Sequence, residues 1–443
     1  MAKKKQIELT IEEKLQNALV PKEEQPYKIP SNWCWTYIHN IAIVVTGKTP
    51  SKKNKEYYGG KFPFFKPADL DAGGNIQYAT EYLSEKGKSI SVIIPEKATG
   101  ICCIGTIGKC GYFLVEGTTN QQINTVISKI NPLYSYYFFN TNSFVRELIS
   151  KASATTIAIV NKSKLESCLF PVAPLNEQQR IVNRIESLFV KLDRAKELIE
   201  NTLAQFEQNK MAILHKAFTG ELTAKWRKEN NIDLSSWKKC ELKEVFKVVK
   251  DKYNPQTENQ IVNYIGLENI ETSKGIISKN NSSEVKSIKT KFKKDDVLYG
   301  KLRPYLNKHD VVNFDGICST DILVFRFNDI NTAKYINYYF NLPMFIQYAV
   351  ENSSGINLPR VSEKTISKYK ISLPTIEEQQ EIVNILDNLL AKYNKIKNLE
   401  QQLEKIELLK KAILAKAFRG ELGTNNPDEE SAENLLKEIL AEK

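Results

Sequence analysis

Residues 177–182 read Glu177-Gln178-Gln179-Arg180-Ile181-Val182, and residues 378–383 read Glu378-Gln379-Gln380-Glu381-Ile382-Val383. Each motif opens a stretch that closes on a second shared motif, Ala217-Phe218-Thr219-Gly220-Glu221-Leu222 in one copy and Ala417-Phe418-Arg419-Gly420-Glu421-Leu422 in the other. The copies are 201 residues apart where they start and 200 apart where they end. A duplicated module of this size predicts internal pseudo-twofold symmetry. Such symmetry suits a target that has two halves.

Both copies have the pattern of a long helix. Apolar residues recur every seven positions, and a heptad repeat kept over several turns indicates a coiled coil. Each helix has about 40 residues and would extend roughly 60 Å at 1.5 Å per residue. We expect the two helices to pair as an antiparallel coiled coil, the alternative being helices of separate bundles. The predicted seam is Ile185, Leu192, Ile199, Phe206 and Ile213 in the first copy, and Leu389, Ile396, Leu399, Leu403, Ile406 and Ile413 in the second.

The remainder of the chain predicts an α+β protein with two globular domains separated by these helices. Short apolar runs broken by turn residues fill both intervals, as in mixed strands and short helices. Trp33 precedes Glu177 by 144 residues and Trp237 precedes Glu378 by 141, so the intervals are equivalent although their interiors barely match. The expected divisions are an N-terminal arm at 1–26, a first domain at 27–173, a first helix at 174–225, a second domain at 226–373, a second helix at 374–423 and an acidic tail helix at 424–443. The two terminal segments either cap the core or dock a partner protein.

Composition favours a folded protein of a reducing compartment, hence the cytoplasm. Lys and Arg number 63 against 52 for Asp and Glu, which gives a net charge of +11. Such a surplus fits a polyanion, because basic side chains release counterions from nucleic-acid phosphates. The seven cysteines form no Cys-x-x-Cys pair and there are three histidines, so a structural zinc site is not expected. No apolar run reaches the length of a membrane span.

The chain shows no motif of catalysis, and we expect a non-catalytic protein. Gly47-Lys48-Thr49 and Gly105-Thr106-Ile107-Gly108-Lys109 imitate phosphate-binding loops, but Ala42 and Cys103 stand where the first glycine belongs. The Pro-Pro turn of an amino-methyltransferase and the Gly-x-Ser-x-Gly of a hydrolase are also missing.

Loops that mix cations, aromatic residues and amides are the candidates for DNA contact. Lys and Arg reach phosphates or guanine, Gln reads adenine, and Tyr supplies a rigid surface. Each such loop taken alone is more often an ordinary solvated loop, and Pro304-Tyr305-Leu306 has an alternative role in the core. The candidates are Lys48, Lys52, Lys53, Tyr57, Lys109, Gln121 and Gln122 in the first domain, and Lys301, Arg303, Tyr305, Lys308 and Arg360 in the second.

The chain resembles the specificity subunit of type I restriction–modification systems over essentially its full length. The paired Glu-Gln-Gln-x-Ile-Val starts and Ala-Phe-x-Gly-Glu-Leu ends carry the resemblance. The stretches Asp296 to Leu306 and Gly355 to Arg360 also resemble phrases of a target-recognition domain, and Glu12 to Trp33 resembles the lead-in. The first domain matches less literally than the second.

The resemblance implies that each domain reads one half of a bipartite site in double-stranded DNA and that the coiled coil fixes the spacer between the halves. It also implies two methyltransferase subunits and motor–nuclease subunits as partners. S-adenosylmethionine, ATP and Mg would then belong to those partners, and this chain would need no cofactor. Two other functions remain open, a coiled-coil scaffold without DNA specificity and an enzyme with an unrecognised site.

Overall fold

The computed structural model describes residues 9–153, 158–258, 260–394 and 397–442. It divides into two compact units, Met1–Leu198 together with Gln401–Lys443, and Ile199–Glu400. We call them the first unit and the second unit. The division falls within the long helices and not at the borders of the sequence repeat, so each unit contains part of both helical copies.

The first unit combines small sheets with helices. An antiparallel pair joins Cys34–Tyr37 to Leu169–Val172. One sheet has the strand order Ala42–Thr46, Ile123–Ser128, Thr99–Cys102, Cys110–Tyr112, and another has the order Glu81–Leu83, Tyr58–Phe65, Thr118–Thr119. The helices are Ile11–Ala18, Ile38–Ile41, Glu85–Ser89, Pro132–Phe139, Asn142–Ser150, Lys162–Glu166 and Ala432–Ala441. The long helix Leu175–Thr219 begins in this unit, and the helix Lys397–Ala417 ends in it.

The second unit repeats this plan. An antiparallel pair joins Lys238–Glu241 to Lys370–Leu373. One sheet has the order Lys247–Val248, Ile322–Arg326, Val297–Gly300, His309–Val311, a larger one has the order Lys252–Tyr253, Lys289–Phe292, Gly316–Cys318, Asn263–Ile265, Asn280–Asn281, and Ile270–Glu271 pairs with Gly275–Ile276. The helices are Ala224–Glu229, Ile330–Tyr339, Pro343–Glu351, Glu363–Ser367 and Ile376–Asn394.

The four-stranded sheets of the two units have the same order when their strands are matched by place along the chain. The prediction of an α+β fold built on an internal repeat is therefore confirmed. A sheet needs only alternating apolar residues and backbone hydrogen bonds between its strands. The two sheets can therefore share a strand order while their other side chains differ.

The helical hairpins of the two units begin with matching side-chain caps. Asn131 accepts hydrogen bonds from the backbone N–H groups of residues 133 and 134, and Asp329 accepts them from those of residues 331 and 332. Such caps satisfy N–H groups that lack a partner within the helix. The capped helices then bury Tyr134 and Tyr335, whose hydroxyls donate to backbone carbonyl oxygens at 2.9 and 3.0 Å.

The long helices pack antiparallel within the first unit. Lys196 pairs with Glu407 at 3.2 Å and Lys410 with Asp193 at 2.5 Å, so residue numbers rise along one helix as they fall along the other. Of the predicted seam, Ile185 and Ile406 are buried. The half-buried seam residues are Leu192, Ile199, Phe206, Ile213, Leu389, Leu399, Leu403 and Ile413. Ile396 lies outside the described residues.

The shared end motif closes the aromatic core of each unit. Phe418 lies 5.0 Å from Tyr134 in the first unit, and Phe218 lies 5.1 Å from Tyr335 in the second, measured between ring centroids. Gly220 and Gly420 follow with φ of 82° and 74°. Glycine adopts this left-handed conformation without strain, which is why it follows a helix C-terminus so often.

The glutamates of the repeated Glu-Gln-Gln motif are buried anchors. Glu177 accepts a hydrogen bond from the Trp33 indole N–H at 2.8 Å, and Glu378 accepts one from Trp237 at 2.8 Å. Both carboxylates are fully buried, and Glu378 additionally pairs with the buried Arg227. The intervals of 144 and 141 residues seen in the sequence are thus the lengths of chain that these bonds close.

The terminal helices of the described chain cap the first unit. Leu436, Ile439 and Leu440 are buried in its core, and Lys437 bonds Glu12 at 2.7 Å. Of the two interpretations left open by the sequence, these contacts favour the capping role.

Candidate nucleic-acid interface

Two basic loops of the second unit, residues 301–308 and 354–360, form one site although they are about fifty residues apart in sequence. The backbone N–H of Arg303 donates to the Pro359 carbonyl at 2.7 Å, and that of Val361 donates to the Lys301 carbonyl at 3.0 Å. The Lys301 N–H donates in turn to the Asp321 carbonyl at 2.9 Å. These bonds hold residues 301–308 and 354–360 side by side at the end of the strand Val297–Gly300.

The side chains of this site divide between solvent and scaffold. Arg303 is exposed, Tyr305 is 53% exposed, and Lys301 is half-buried. Pro304 is buried, so the predicted alternative of a core role holds for this proline but not for Tyr305. Lys308 donates from Nζ to the Leu267 carbonyl at 2.7 Å and thereby supports the loop.

The sequence interpretation missed two features of this site. Arg360 pairs with Asp321, whose Oδ1 accepts from Nε at 3.3 Å, although 39 residues separate them. Ile356 is completely exposed at the tip of the turn. The isoleucine in this short loop motif is visible in the sequence, whereas the ion pair depends on the fold.

The predicted residues of the first unit lie on two neighbouring loops. The backbone N–H of Lys48 donates to the Thr119 carbonyl at 2.9 Å, and the Thr49 hydroxyl donates to the side-chain oxygen of Gln121. The structure therefore brings residues 47–49 against residues 119–121. Lys48, Lys52 and Lys53 are exposed, and Tyr57 is half-buried.

Lys109 and Gln122 have partners within the first unit. Lys109 pairs with Asp71 at 2.6 Å, which offsets its charge. The Gln122 side-chain oxygen accepts from the Asn120 amide at 2.9 Å. All twelve residues remain predictions of DNA contact.

A buried histidine braces the basic turn of the second unit. Arg303 and Asn307 both have left-handed backbones, with φ of 52° and 43°, a strained conformation for residues with side chains. The Asn307 amide donates to the Phe340 carbonyl at 3.0 Å and lies 3.1 Å from His309 Nε2. His309 Nδ1 lies 2.7 Å from Asn337 Oδ1. Nδ1 donates and Nε2 accepts in the neutral ring, so neutral imidazole fits both partners.

This histidine makes the second unit sensitive to mild acid. Burial lowers the pKa of His309 to about 4, below its ordinary value of 6.5. Between these values the unfolded chain binds a proton that the folded chain does not, so stability falls as the pH drops through this window. The unsubstituted chain should lose about 3 kcal/mol of its free energy of unfolding between neutral pH and about pH 4. We expect that His309→Asn does not show this loss. Urea denaturation at stepped pH measures it. His215→Gln, which alters an exposed histidine of the same unit, is the control. Parallel pH profiles of His309→Asn and the unsubstituted chain would contradict the assignment.

Within the described residues, no helix is both long and apolar enough to span a membrane. The part of the chain that the structure describes also lacks any group of three or more His, Cys, Asp or Glu side chains suited to hold a metal ion.

Comparison with known proteins identifies the class. The family model described as "Type I restriction modification DNA specificity domain" matches the chain twice, at residues 30–207 and 235–408. The chain belongs to this family.

Individual relatives resemble the chain over nearly its whole length. It is 24% identical to the type I restriction enzyme EcoDI specificity subunit of Escherichia coli, covering 94% of this chain and 96% of that protein. It is also 24% identical to the MjaIX specificity subunit of Methanocaldococcus jannaschii, covering 90% and 96%. These relatives do not favour the alternative of a scaffold without DNA specificity.

Solved structures share the fold. One, from a study of complex assembly and conformational transition of the type I R-M system, superposes with a TM-score of 0.69 at 19% identity and covers 89% of this chain and all of that one. The HsdS subunit from Thermoanaerobacter tengcongensis superposes with a TM-score of 0.56 at 19% identity, covering 90% and 99%.

Proposed function

We propose that this chain is the DNA-recognition subunit of a type I restriction–modification complex, and that each unit reads one half of a bipartite site. The observation that carries this proposal is the pairing of one scaffold with two different loop sets. The four-stranded sheets of the two units have the same strand order, yet one unit presents Lys48, Lys52 and Lys53 while the other presents Arg303 and Arg360. A repeated scaffold with divergent loops suits two unlike half-sites.

The catalytic steps belong to partner subunits in this proposal. Two methyltransferase subunits bind the chain and transfer a methyl group from S-adenosylmethionine to an adenine N6 atom, and motor–nuclease subunits use ATP and Mg. This chain holds no cofactor and acts in the cytoplasm. Membership of the specificity family supports this division of labour, because a specificity subunit selects the site at which other subunits act.

Mapping of adenine methylation tests the proposal. The chain is co-expressed with a methyltransferase subunit from its own source in a host that lacks other adenine methylation, and N6-methyladenine is located across the genome. We expect a split motif that disappears when this chain is omitted. A stable complex that methylates without any motif, or not at all, would contradict a recognition role.

The long helices are expected to set the spacer of the split motif. Four residues inserted after Thr202 lengthen a helix by about 6 Å, nearly two base-pair rises of 3.4 Å. The permitted spacer should therefore increase while both half-site sequences stay the same. Sequencing of methylated sites reads both properties at once. Glu200→Ala, an exposed substitution on the same helix that leaves its length unchanged, provides the control and should leave the spacer as it was. If the insertion after Thr202 leaves the spacer unchanged, the long helices do not set its length.

A further inference from the structure

A backbone frame in the first unit holds two neighbouring side chains. The Cys103 N–H donates to the Gln122 carbonyl at 2.8 Å, and the Val160 N–H donates to the Cys103 carbonyl at 2.9 Å. Ser153 donates from its N–H to the Ile159 carbonyl at 3.0 Å. Gln122 and Ile159 thus stand on adjacent segments at the end of one strand.

The second unit builds the same frame from other residues. The Lys301 N–H donates to the Asp321 carbonyl at 2.9 Å, and the Val361 N–H donates to the Lys301 carbonyl at 3.0 Å. The Ser354 N–H donates to the Arg360 carbonyl at 2.9 Å. Each bond has its counterpart in the first unit within about 0.1 Å, so Asp321 corresponds to Gln122 and Arg360 to Ile159.

The paired positions differ in chemistry. Gln122 is half-buried, and its side-chain oxygen accepts from Asn120 at 2.9 Å, which leaves one lone pair and the NH₂ group for another partner. Ile159 is 37% exposed, and the Arg360 side chain is 46% exposed. Asp321 accepts a hydrogen bond from Nε of Arg360, which leaves the two terminal NH₂ groups of the guanidinium for another partner. A half-exposed ion pair adds little stability. Its main effect is therefore to orient the Arg360 fork.

These side chains match different bases in the major groove. An arginine fork donates two hydrogen bonds to guanine O6 and N7, a glutamine amide pairs with adenine N6 and N7, and an aliphatic group contacts the thymine methyl. Gln122 with Ile159 therefore suits an A·T pair, whereas Arg360 suits a G·C pair.

We propose that this matched position is a base-reading site in each unit, where Gln122 and Ile159 select an A·T pair in one half-site and Arg360, positioned by Asp321, selects guanine in the other. The proposal rests on the proposed function and adds the side chains that discriminate. It identifies Asp321 as a positioning residue, since it acts through Arg360.

The test exchanges the residues in the complex of this chain with its methyltransferase subunit. Arg360→Ile installs the residue found at the equivalent position of the first unit. We expect methylation of sites with the selected guanine to fall about tenfold or more, with the change confined to one base pair of one half-site. Arg360→Lys keeps the charge but loses the planar fork, so it should weaken the preference for guanine, though less than Arg360→Ile does. Lys364→Ala, an exposed cation of the same unit, is the matched control and should leave base preference unchanged.

Asp321 is tested by the same base preference. Asp321→Ala should weaken the base preference at the base pair that Arg360 reads. Asp321→Asn keeps an acceptor for Nε of Arg360 and should retain the preference.

The outcomes distinguish a failure of the base-reading site from a failure of the proposed function. Without a split motif for the unsubstituted chain, the proposed function itself fails. A split motif whose base preference survives both Arg360→Ile and Arg360→Lys overturns the base-reading site alone. If Arg360→Ile lowers the melting temperature, Arg360→Lys decides the matter.

Discussion

Replacing Arg227 with methionine is expected to destabilise the second unit by about 3 to 5 kcal/mol, because it leaves the Glu378 carboxylate buried without a cation. Arg227 is 7% exposed and Glu378 is fully buried, and the guanidinium also donates to the Gly220 carbonyl and to the Thr223 hydroxyl. A carboxylate out of water needs such partners, since desolvation of an unpaired charge is costly. Arg227 thereby connects Gly220, which follows the first long helix, to Glu378 at the start of the helix Ile376–Asn394.

Urea denaturation combined with hydrogen exchange measures this effect and locates it. Amides at the start of the helix Ile376–Asn394 should lose protection first, because that is where Glu378 lies. Arg180→Met in the first unit is the matched control. Arg180 donates two hydrogen bonds to Glu429, each of 2.7 Å, and these hold the pKa of Glu429 below its ordinary value. Its side chain is 39% exposed, so its loss should cost at most about 1 kcal/mol. Equal losses in the two variants would refute the distinction by burial.

Replacing Arg303 with alanine is expected to impair reading of the second half-site by about ten- to a hundredfold and to leave the first half-site intact. Arg303 is exposed, while its backbone is tied to the Pro359 carbonyl at 2.7 Å. Alanine keeps that bond, so the loop is expected to persist and only the side-chain contact is lost. Methylation rates on DNA with single-base changes in each half-site provide the measurement.

Salt dependence then distinguishes the two kinds of contact. If Arg303 contacts a base, Arg303→Ala relaxes the sequence preference at one base pair, and Arg303→Lys restores it only in part because lysine lacks the planar fork. If it contacts a phosphate, the alanine variant weakens all sites alike and lowers the salt slope by about one, whereas lysine restores binding. Lys308→Ala is a useful control, because its ammonium is bound to the Leu267 carbonyl and its loss should affect stability more than DNA. An equal loss at both half-sites in Arg303→Ala would contradict the assignment to one unit.

The candidate site was predictable in its loops but not in the roles of its side chains. The sequence predicts DNA-contacting loops that contain Lys301 to Lys308 and Arg360, and the structure places these loops side by side. Sequence could not show that Lys308 supports a carbonyl or that Lys109 is paired with Asp71. Such partners lie tens of residues away, and composition alone does not distinguish a cation facing solvent from one that is already bound.

The sequence by itself determined the plan of this protein. The duplicated motifs predicted two long helices and two α+β units, because heptad spacing and helix-ending glycine act through local geometry. Only the tertiary structure shows what the repeated glutamates do: Glu177 and Glu378 are buried and accept hydrogen bonds from Trp33 and Trp237. It also decided that Asp321 and Arg360 correspond to Gln122 and Ile159. These correspondences rest on backbone hydrogen bonds between segments that are distant in sequence. Such bonds do not depend on the side chains, so they produce no repeating pattern in the sequence.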